Sequence, residues 1–303
     1  MKNNCVLVYG SVAYDSIETP FGSAEYILGG SAAYAALASA FFAPSCIAGC
    51  VGSDFRQADI ERLANRGINL DALQIIDGAQ TFFWKGKYHQ NFNRRDTIEV
   101  RLGVTENCRP EIPQAQRGAP YVLLANSSPA DQAKVLSEMS APKFVVLDTM
   151  NLWIEIALQD LKELIKRVDL LILNDTEAQQ LAEENNIILC GDILMKLGAK
   201  SVIIKKGEHG ATLFHKDGLF TLPAYPVREL RDPTGAGDSF AGALIGRIAR
   251  YGETDFSAIK KAMLFAAATA SLTVESFSCN KLELAGYAEI ERRAEYIKQI
   301  SSF

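Results

Sequence analysis

Short apolar runs and longer amphipathic stretches alternate along the chain. Val6–Tyr9 is an unbroken apolar run closed by Gly10, and Ile47–Val51, Tyr121–Ala125, Phe144–Asp148, Leu170–Asn174 and Ser201–Lys205 are of the same kind. Compact apolar runs without polar alternation read as strands buried on both faces. Between them, apolar positions recur at helical spacing over Asp54–Arg66 (stopped by Gly67), Pro129–Met139, Ile154–Arg167, Thr176–Asn185 and Cys190–Leu197. Ser31–Phe42 is alanine-rich with aromatic ends and reads as a buried helix. Strands alternating with helices predict a parallel sheet covered on both sides.

Two segments break this rhythm. Ser16–Leu28 is polar and turn-rich, and Thr81–Leu102 alternates apolar and polar residues around a turn at Lys85–Lys87. Such alternation marks an antiparallel sheet with one solvated face. The pattern therefore predicts a small β flap on a large α/β body. No repeat, low-complexity stretch or linker divides the chain. We expect a single domain over residues 1–303, with a lid inserted from about 16–28 and 81–102.

Composition narrows the function classes. With 303 residues, 48% of them hydrophobic, the chain can bury a sizeable core. A net charge of −5 with no long basic run argues against a nucleic-acid partner. No window reaches the roughly 18 apolar residues of a membrane span, and the apolar run after MKNN is too short for a signal peptide. The expectation is a cytoplasmic protein with no membrane contact. The six cysteines are scattered, and Cys46 and Cys50 lack C-x-x-C spacing, so all are expected as reduced thiols. His89, His209 and His215 show neither H-x-x-x-H spacing nor partner cysteines, which argues against zinc.

The segment with most chemistry is RDPTGAGDSFAGALIG, Arg231–Gly246. A turn of small residues feeding a helix leaves backbone N–H groups aimed at one spot, where the helix adds about half a positive charge. Gly235, Ala236 and Gly237 would form an anion hole, because side chains would keep a phosphate oxygen from those amides. Asp238 at the helix entrance would repel a resting anion. It makes sense as a base that takes the proton of a hydroxyl attacking phosphorus. The bland alternative is an aspartate helix cap after a glycine turn.

DPTGAGDSFAGAL resembles the C-terminal signature of the ribokinase-like, or PfkB-type, carbohydrate and nucleoside kinases, D-[TP]-x-G-A-G-D-x-F-x-x-G. The resemblance implies Asp238 as catalytic base and Gly235–Gly237 as the anion hole, with Thr234 beside the nucleotide. LGGSAAYAALA is similar to the family's N-terminal signature, in which the di-glycine loop contacts the acceptor; here it contains Gly29 and Gly30. Four positions after Gly30, where many sugar kinases of the family carry Asn, this chain has Tyr34. That change admits an acceptor with a flat ring, such as a nucleoside. Asp15, just past the first strand, corresponds to the family's acceptor-binding aspartate; alone it would equally be a turn residue.

Three further stretches allow two readings each. In LILNDTEAQQL, Asn174 and Glu177 form a capping box, or the family's N-x-x-E motif that organises Mg2+ and the ATP phosphates, with Glu177 reaching the metal through water. In IIKKGEHG, Lys206, Gly207 and Gly210 match a family loop near the ATP, while Lys205 and Lys206 could instead be solvated. In the flap, Arg94, Arg95 and Asp96 are a solvated strand face, or Arg95 is a lid arginine that reaches the acceptor. Val274–Cys279 lies where some members bind K+ through backbone oxygens, a site without a side-chain signature.

The implied protein is a three-layer α/β/α ribokinase-like body with a mostly parallel sheet and a β lid. It would transfer the γ-phosphate of ATP to a hydroxymethyl group of a sugar or nucleoside, and the lid's apolar face would offer a homodimer contact. A sensor module on the same fold is the alternative, against which an intact Asp238 speaks. The G-x-G-x-x-G of dinucleotide enzymes is missing after the first strand, and so is a G-x-x-x-x-G-K-[ST] loop.

Overall fold

The computed structural model of the chain describes residues 4–90, 92 and 95–302. In chain order the strands are β1 (Val6–Tyr9), β2 (Ala13–Thr19), β3 (Gly22–Gly29), β4 (Ser45–Gly52), β5 (Asn69–Ile76), β6 (Phe82–Tyr88), β7 (Arg95–Arg101), β8 (Tyr121–Leu124), β9 (Phe144–Asp148), β10 (Leu170–Asn174), β11 (Ser201–Lys205), β12 (Ala211–His215) and β13 (Gly218–Leu222). The α-helices are α1 (Ser31–Ser39), α2 (Gln57–Asn65), α3 (Pro129–Glu138), α4 (Asn151–Ile156), α5 (Leu158–Ile165), α6 (Asp175–Ala182), α7 (Ile187–Lys196), α8 (Ala236–Tyr251), α9 (Phe256–Thr273), α10 (Asn280–Leu284) and α11 (Tyr287–Ser301).

The main sheet runs β13-β12-β11-β10-β9-β8-β1-β4-β5. It is parallel from β11 to β5, and β12 and β13 add an antiparallel edge. Period-two alternation divides the apolar side chains between two cores. Val6, Val8, Leu123, Val146 and Ile172 face α1, α8 and α9. Leu7, Val122, Leu147 and Leu173 face the layer that includes α3, α5, α6 and α7. Burial on both faces explains the unbroken apolar runs, and the three layers are α, β and α.

A second sheet, ordered β3-β2-β6-β7, stands apart from the first. β6 and β7 pair antiparallel, and β2 joins them through a parallel pairing with β6.

The structure departs from the sequence pattern in a few places. The run Ile154–Arg167 is split at Ala157, whose φ of −138° breaks the helix between α4 and α5. The helix expected over Ser31–Phe42 ends at Ser39. β5 and β13 carry mixed patterns, as edge strands with partly exposed faces do. The cysteine expectation needs correction: Cys50 on β4 and Cys108 form a disulfide, with Cys5, Cys46, Cys190 and Cys279 free and buried. Their separation of 58 residues is why spacing did not reveal the pair; the fold brings their Cα atoms to 6.4 Å. Among the described residues no helix is long and apolar enough to cross a membrane.

Candidate active site

The strand order reverses at β1: the chain proceeds from β1 to β4 on one side and from β8 to β11 on the other. Open α/β sheets bind ligands outside the carboxyl ends of strands at such a switch. Those ends supply the polar residues here. Asp15 lies on β2 just past β1, Asp148 closes β9, Asn174 closes β10 and Lys205 closes β11. A cleft of about 1170 Å3 opens above them.

Helix α8 points its N-terminus into this cleft. Its cap, Gly235, has φ 77° and ψ 0°, a left-handed conformation, and no side chain caps the first turn. The preceding turn is pinned from outside: Thr234 N–H donates to Asp232 Oδ1 at 2.9 Å, and Arg231 N–H donates to the Val274 carbonyl at 2.8 Å. The Ala236 amide donates to the Pro233 carbonyl at 3.2 Å, whereas the Gly235 and Gly237 amides have no partner among the described residues. Gly235, Ala236, Gly237 and Asp238 all line the cleft.

Why α8 stands here follows from α1. A Cβ on Gly242 would lie 2.0 Å from the Ala35 carbonyl oxygen, so only glycine permits the approach of the two helices. Tyr34 sits in the same contact. A Cβ on Gly235 would lie 2.4 Å from its ring carbons, and the ring is 1% exposed. The expectation that Tyr34 offers a stacking face to the acceptor is thus corrected. Every residue of α1 is buried, which turns the ring onto Gly235. The Tyr34 hydroxyl is buried with no partner among the described residues.

The site is dense in buried charge. Asp15 is 4% exposed, with Gly29 packed against its carboxyl, and burial, then Asp232 and Asp238, push its pKa up to about 8; the Gly30 amide opposes this. Asp238 is pushed up to about 6 by burial and the Asp148 carboxylate, with Lys205 and Arg95 pulling the other way. Glu177 is pushed up to about 7, chiefly by burial. Asp232 is pushed up to about 6 by burial, and its Oδ2 has no partner among the described residues.

Asn174 and Glu177 satisfy the capping box in both directions: Asn174 Oδ1 accepts from Glu177 N–H at 2.8 Å, and Glu177 Oε2 accepts from Asn174 N–H at 2.8 Å. The capping-box reading is thus met, and both residues also line the cleft. Gly207 and Gly210 line it too, but Lys206 does not. Lys205 takes that place, with Nζ 3.4 Å from Asp148 Oδ1. Strand parity explains the exchange. Lys205 lies two residues from Ile203, which faces the α8 core, so Lys205 turns toward α8 and its neighbour turns away.

Arg95 is exposed on β7 and lines the cleft; Arg94 lies outside the described residues. Asp15, Gly29 and Gly30 are not among the residues that line the cleft. Leu222, Tyr225, Val227, Ala267, Ala270 and Val274 give its far end an apolar lining. Asp148 and Lys205 are the polar residues that pattern reading passed over. The signal was their position as the last residue of an apolar strand run. Among the described residues no three His, Cys, Asp or Glu side chains form a metal cluster.

Amides at a helix start, a carboxylate beside them and a nucleotide-sized cleft at the strand ends define a small-molecule phosphotransferase on a three-layer α/β/α fold. The model of the pfkB family of carbohydrate kinases matches residues 119–284, and the chain belongs to that family. It is an ATP-dependent kinase acting on an alcohol group of a sugar or nucleoside. The chain is 28% identical over 252 residues to a cytidine kinase of Thermococcus kodakarensis, covering 81% of this chain and 88% of that one. It is 27% identical over 271 residues to a nucleoside kinase of Methanocaldococcus jannaschii, covering 87% and 84%. Its fold is similar to that of Burkholderia thailandensis nucleoside kinase in complex with inosine, with a TM-score of 0.78, 20% identity and 96% of each chain covered.

Proposed function

We propose that this chain is a nucleoside kinase that moves the γ-phosphate of ATP to the hydroxymethyl group of a ribonucleoside. The observation that carries the kinase chemistry is Asp238 beside the free amides of Gly235 and Gly237 at the start of α8. The choice of a nucleoside rests on the cytidine and nucleoside kinases it resembles over most of its length.

In this reading Asp15, with the Gly29–Gly30 turn, holds the acceptor. Asp238 takes the proton of its hydroxyl as oxygen attacks the γ-phosphorus. The new O–P bond forms as the bond to the β–γ bridging oxygen breaks, and ADP leaves. The Gly235–Gly237 amides bind the phosphoryl oxygens during the transfer, where fixed donors are worth most. The apolar end around Tyr225 and Ala267 takes the donor base, with Gly207, Gly210 and Thr234 along the phosphates.

Mg2+ would neutralise charge on the ATP phosphates. Glu177 fits it through a water, because its carboxyl already accepts from Asn174 N–H and no three-ligand cluster stands among the described residues. A K+ ion suits the buried, partnerless Asp232 Oδ2, close to the Val274–Cys279 segment.

We read the β3-β2-β6-β7 sheet as the lid of a single domain, carrying Arg95 over the acceptor and excluding water on closure. Phe21, Tyr26, Ile98 and Val100 in this sheet and its hairpin are 46–58% exposed, apolar surface that a homodimer contact would cover. We take the enzyme to work in the cytoplasm, where ATP is supplied.

The test is ADP formation from ATP and Mg2+ against a panel of nucleosides and free sugars, with Asp238→Asn alongside. Nucleoside-dependent turnover that the variant loses is the expected result. Turnover only with a free sugar would overturn the nucleoside assignment, and an Asp238→Asn enzyme as fast as wild type would overturn the base.

A further inference from the structure

Lys205 is placed for more than charge balance. Its side chain is 17% exposed, and burial alone would strip its proton; the carboxylates of Asp148, Glu177 and Asp238 overcome that and hold its pKa above the ordinary lysine value. An ammonium has three protons to donate. Among the described residues Lys205 has one hydrogen-bond partner, Asp148 Oδ1, at a long 3.4 Å. Meanwhile Nζ stands 2.9 Å from the point a Cβ on Gly237 would occupy. It therefore hangs over the first turn of α8, beside the amides of the anion hole, and it lines the cleft. A lysine needed only to neutralise Asp148 would point its donors at Asp148. This one makes a single long bond to Asp148 while its ammonium stands over the bare Cα of Gly237.

We propose that Lys205 is a catalytic residue of the phosphoryl transfer, its ammonium binding the non-bridging oxygens of the phosphoryl group as it passes the Gly235 and Gly237 amides. The inference rests on the kinase reading above. No bond to the lysine forms or breaks and it keeps its protons throughout; the acceptor proton goes to Asp238. Charge on a transferring phosphoryl group spreads over its equatorial oxygens, and catalysis is positioning plus electrostatic stabilisation. Amides supply partial charges, and Lys205 supplies a full one on the same side of the phosphorus.

The experiment compares wild type, Lys205→Met and Lys205→Gln in steady-state turnover, with Asp238→Asn as the control for the kinase reading. Circular dichroism melts identify which variants fold, and the glutamine variant can still donate to Asp148 should the methionine variant not fold. Expected is a fall of about a hundred-fold or more in kcat with acceptor KM within about threefold. The acid limb of the pH–kcat profile should also move to higher pH, because Asp238 loses the ammonium and keeps Asp148, Asp15 and Arg95 around it. That shift reports the lost charge beside Asp238 and a charge-balancing lysine would give it too, so phosphoryl binding is decided by kcat together with the arm that follows. A second arm needs no acceptor: calorimetry with Mg–ADP alone and with aluminium fluoride, a planar phosphoryl mimic. Wild type should gain affinity from the fluoride, and the variants should lose at least tenfold of that gain. A folded variant with kcat within threefold of wild type, or with the fluoride gain intact, overturns the proposal. Absence of wild-type turnover with every acceptor would count against the kinase reading and leave the calorimetric arm to decide on Lys205.

Discussion

The hydroxyl of Thr234 donates to the phenol of Tyr88 at 3.1 Å, joining residues 146 apart in sequence. Thr234 begins the turn that becomes the anion hole, and Tyr88 ends a strand of the four-stranded sheet. The bond thus ties the four-stranded sheet, the proposed lid, to the turn before α8. Tyr88→Phe keeps the ring and removes the hydroxyl that Thr234 and Arg95 share. We expect a several-fold rise in acceptor KM with kcat changed less, and a loss of about 1 kcal/mol in stability by urea denaturation, the ordinary worth of such a bond. An unchanged KM would separate lid closure from this contact.

Asp238 must be ionised to accept a proton. With its pKa in the ligand-free protein pushed up to about 6, kcat/KM should hold above that pH and fall tenfold per unit below it. Asp238→Asn should cost about a hundred- to ten-thousand-fold in kcat and abolish this limb. A log kcat/KM profile flat down to pH 5 would show that the base lies elsewhere.

Asp15 links the site to stability. An unfolded aspartate ionises near pH 3.8, and burial and the carboxylates of Asp232 and Asp238 push folded Asp15 up to about 8. The folded state therefore binds this proton more tightly. Its contribution to stability is fully present below pH 3.8 and is lost as pH rises toward 8. Asp15→Asn keeps an acceptor for the Gly30 amide and has no charge to bury. In the ligand-free protein it should raise Tm at pH 8, raise it much less at pH 5 and weaken acceptor binding. Equal shifts in Tm at both pH values would mean that Asp15 ionises as an exposed aspartate does.

Gly235→Ala meets two obstacles, a φ of 77° and the Tyr34 ring at 2.4 Å. The ring has no room to retreat in a fully buried helix. We expect a loss of about 2–4 kcal/mol in a denaturant melt, from strain plus overpacking, and turnover reduced by orders of magnitude in whatever folds. A variant as stable as wild type would show that α1 and α8 can part.

Thiol titration of denatured, unreduced protein should count four cysteines of six, with the other two appearing only after reductant. Six thiols without reductant would mean that Cys50 and Cys108 do not pair in the isolated protein.

Strand runs such as Val6–Tyr9 and Leu170–Asn174 were legible because burial on both sides leaves no polar position to blur them. The turn at Gly235 was legible because a left-handed backbone against the Tyr34 ring leaves little choice of residue. What could not be read was orientation. Nothing in the letters KK says which lysine a strand turns inward; that depends on the parity of β11 within the sheet. Nothing at Tyr34 says that its ring will lie against Gly235, since that contact spans two hundred residues. The Cys50–Cys108 pair and the edge strands were hidden for the same reason, being products of long-range proximity.

The bare contact between α1 and α8 has a consequence for how such an enzyme can change its diet. The two helices carry, at adjacent ends, the loop beside Asp15 and the amides beside Asp238, and they are clasped where a single methyl group would force them apart. Mutation there has almost nowhere to go. The four-stranded sheet touches the reaction centre through few side chains, Tyr88 and Arg95 among them, and can drift without disturbing the clasp. New acceptors would therefore be gained by rewriting the cover, while the part that moves phosphorus is inherited unchanged.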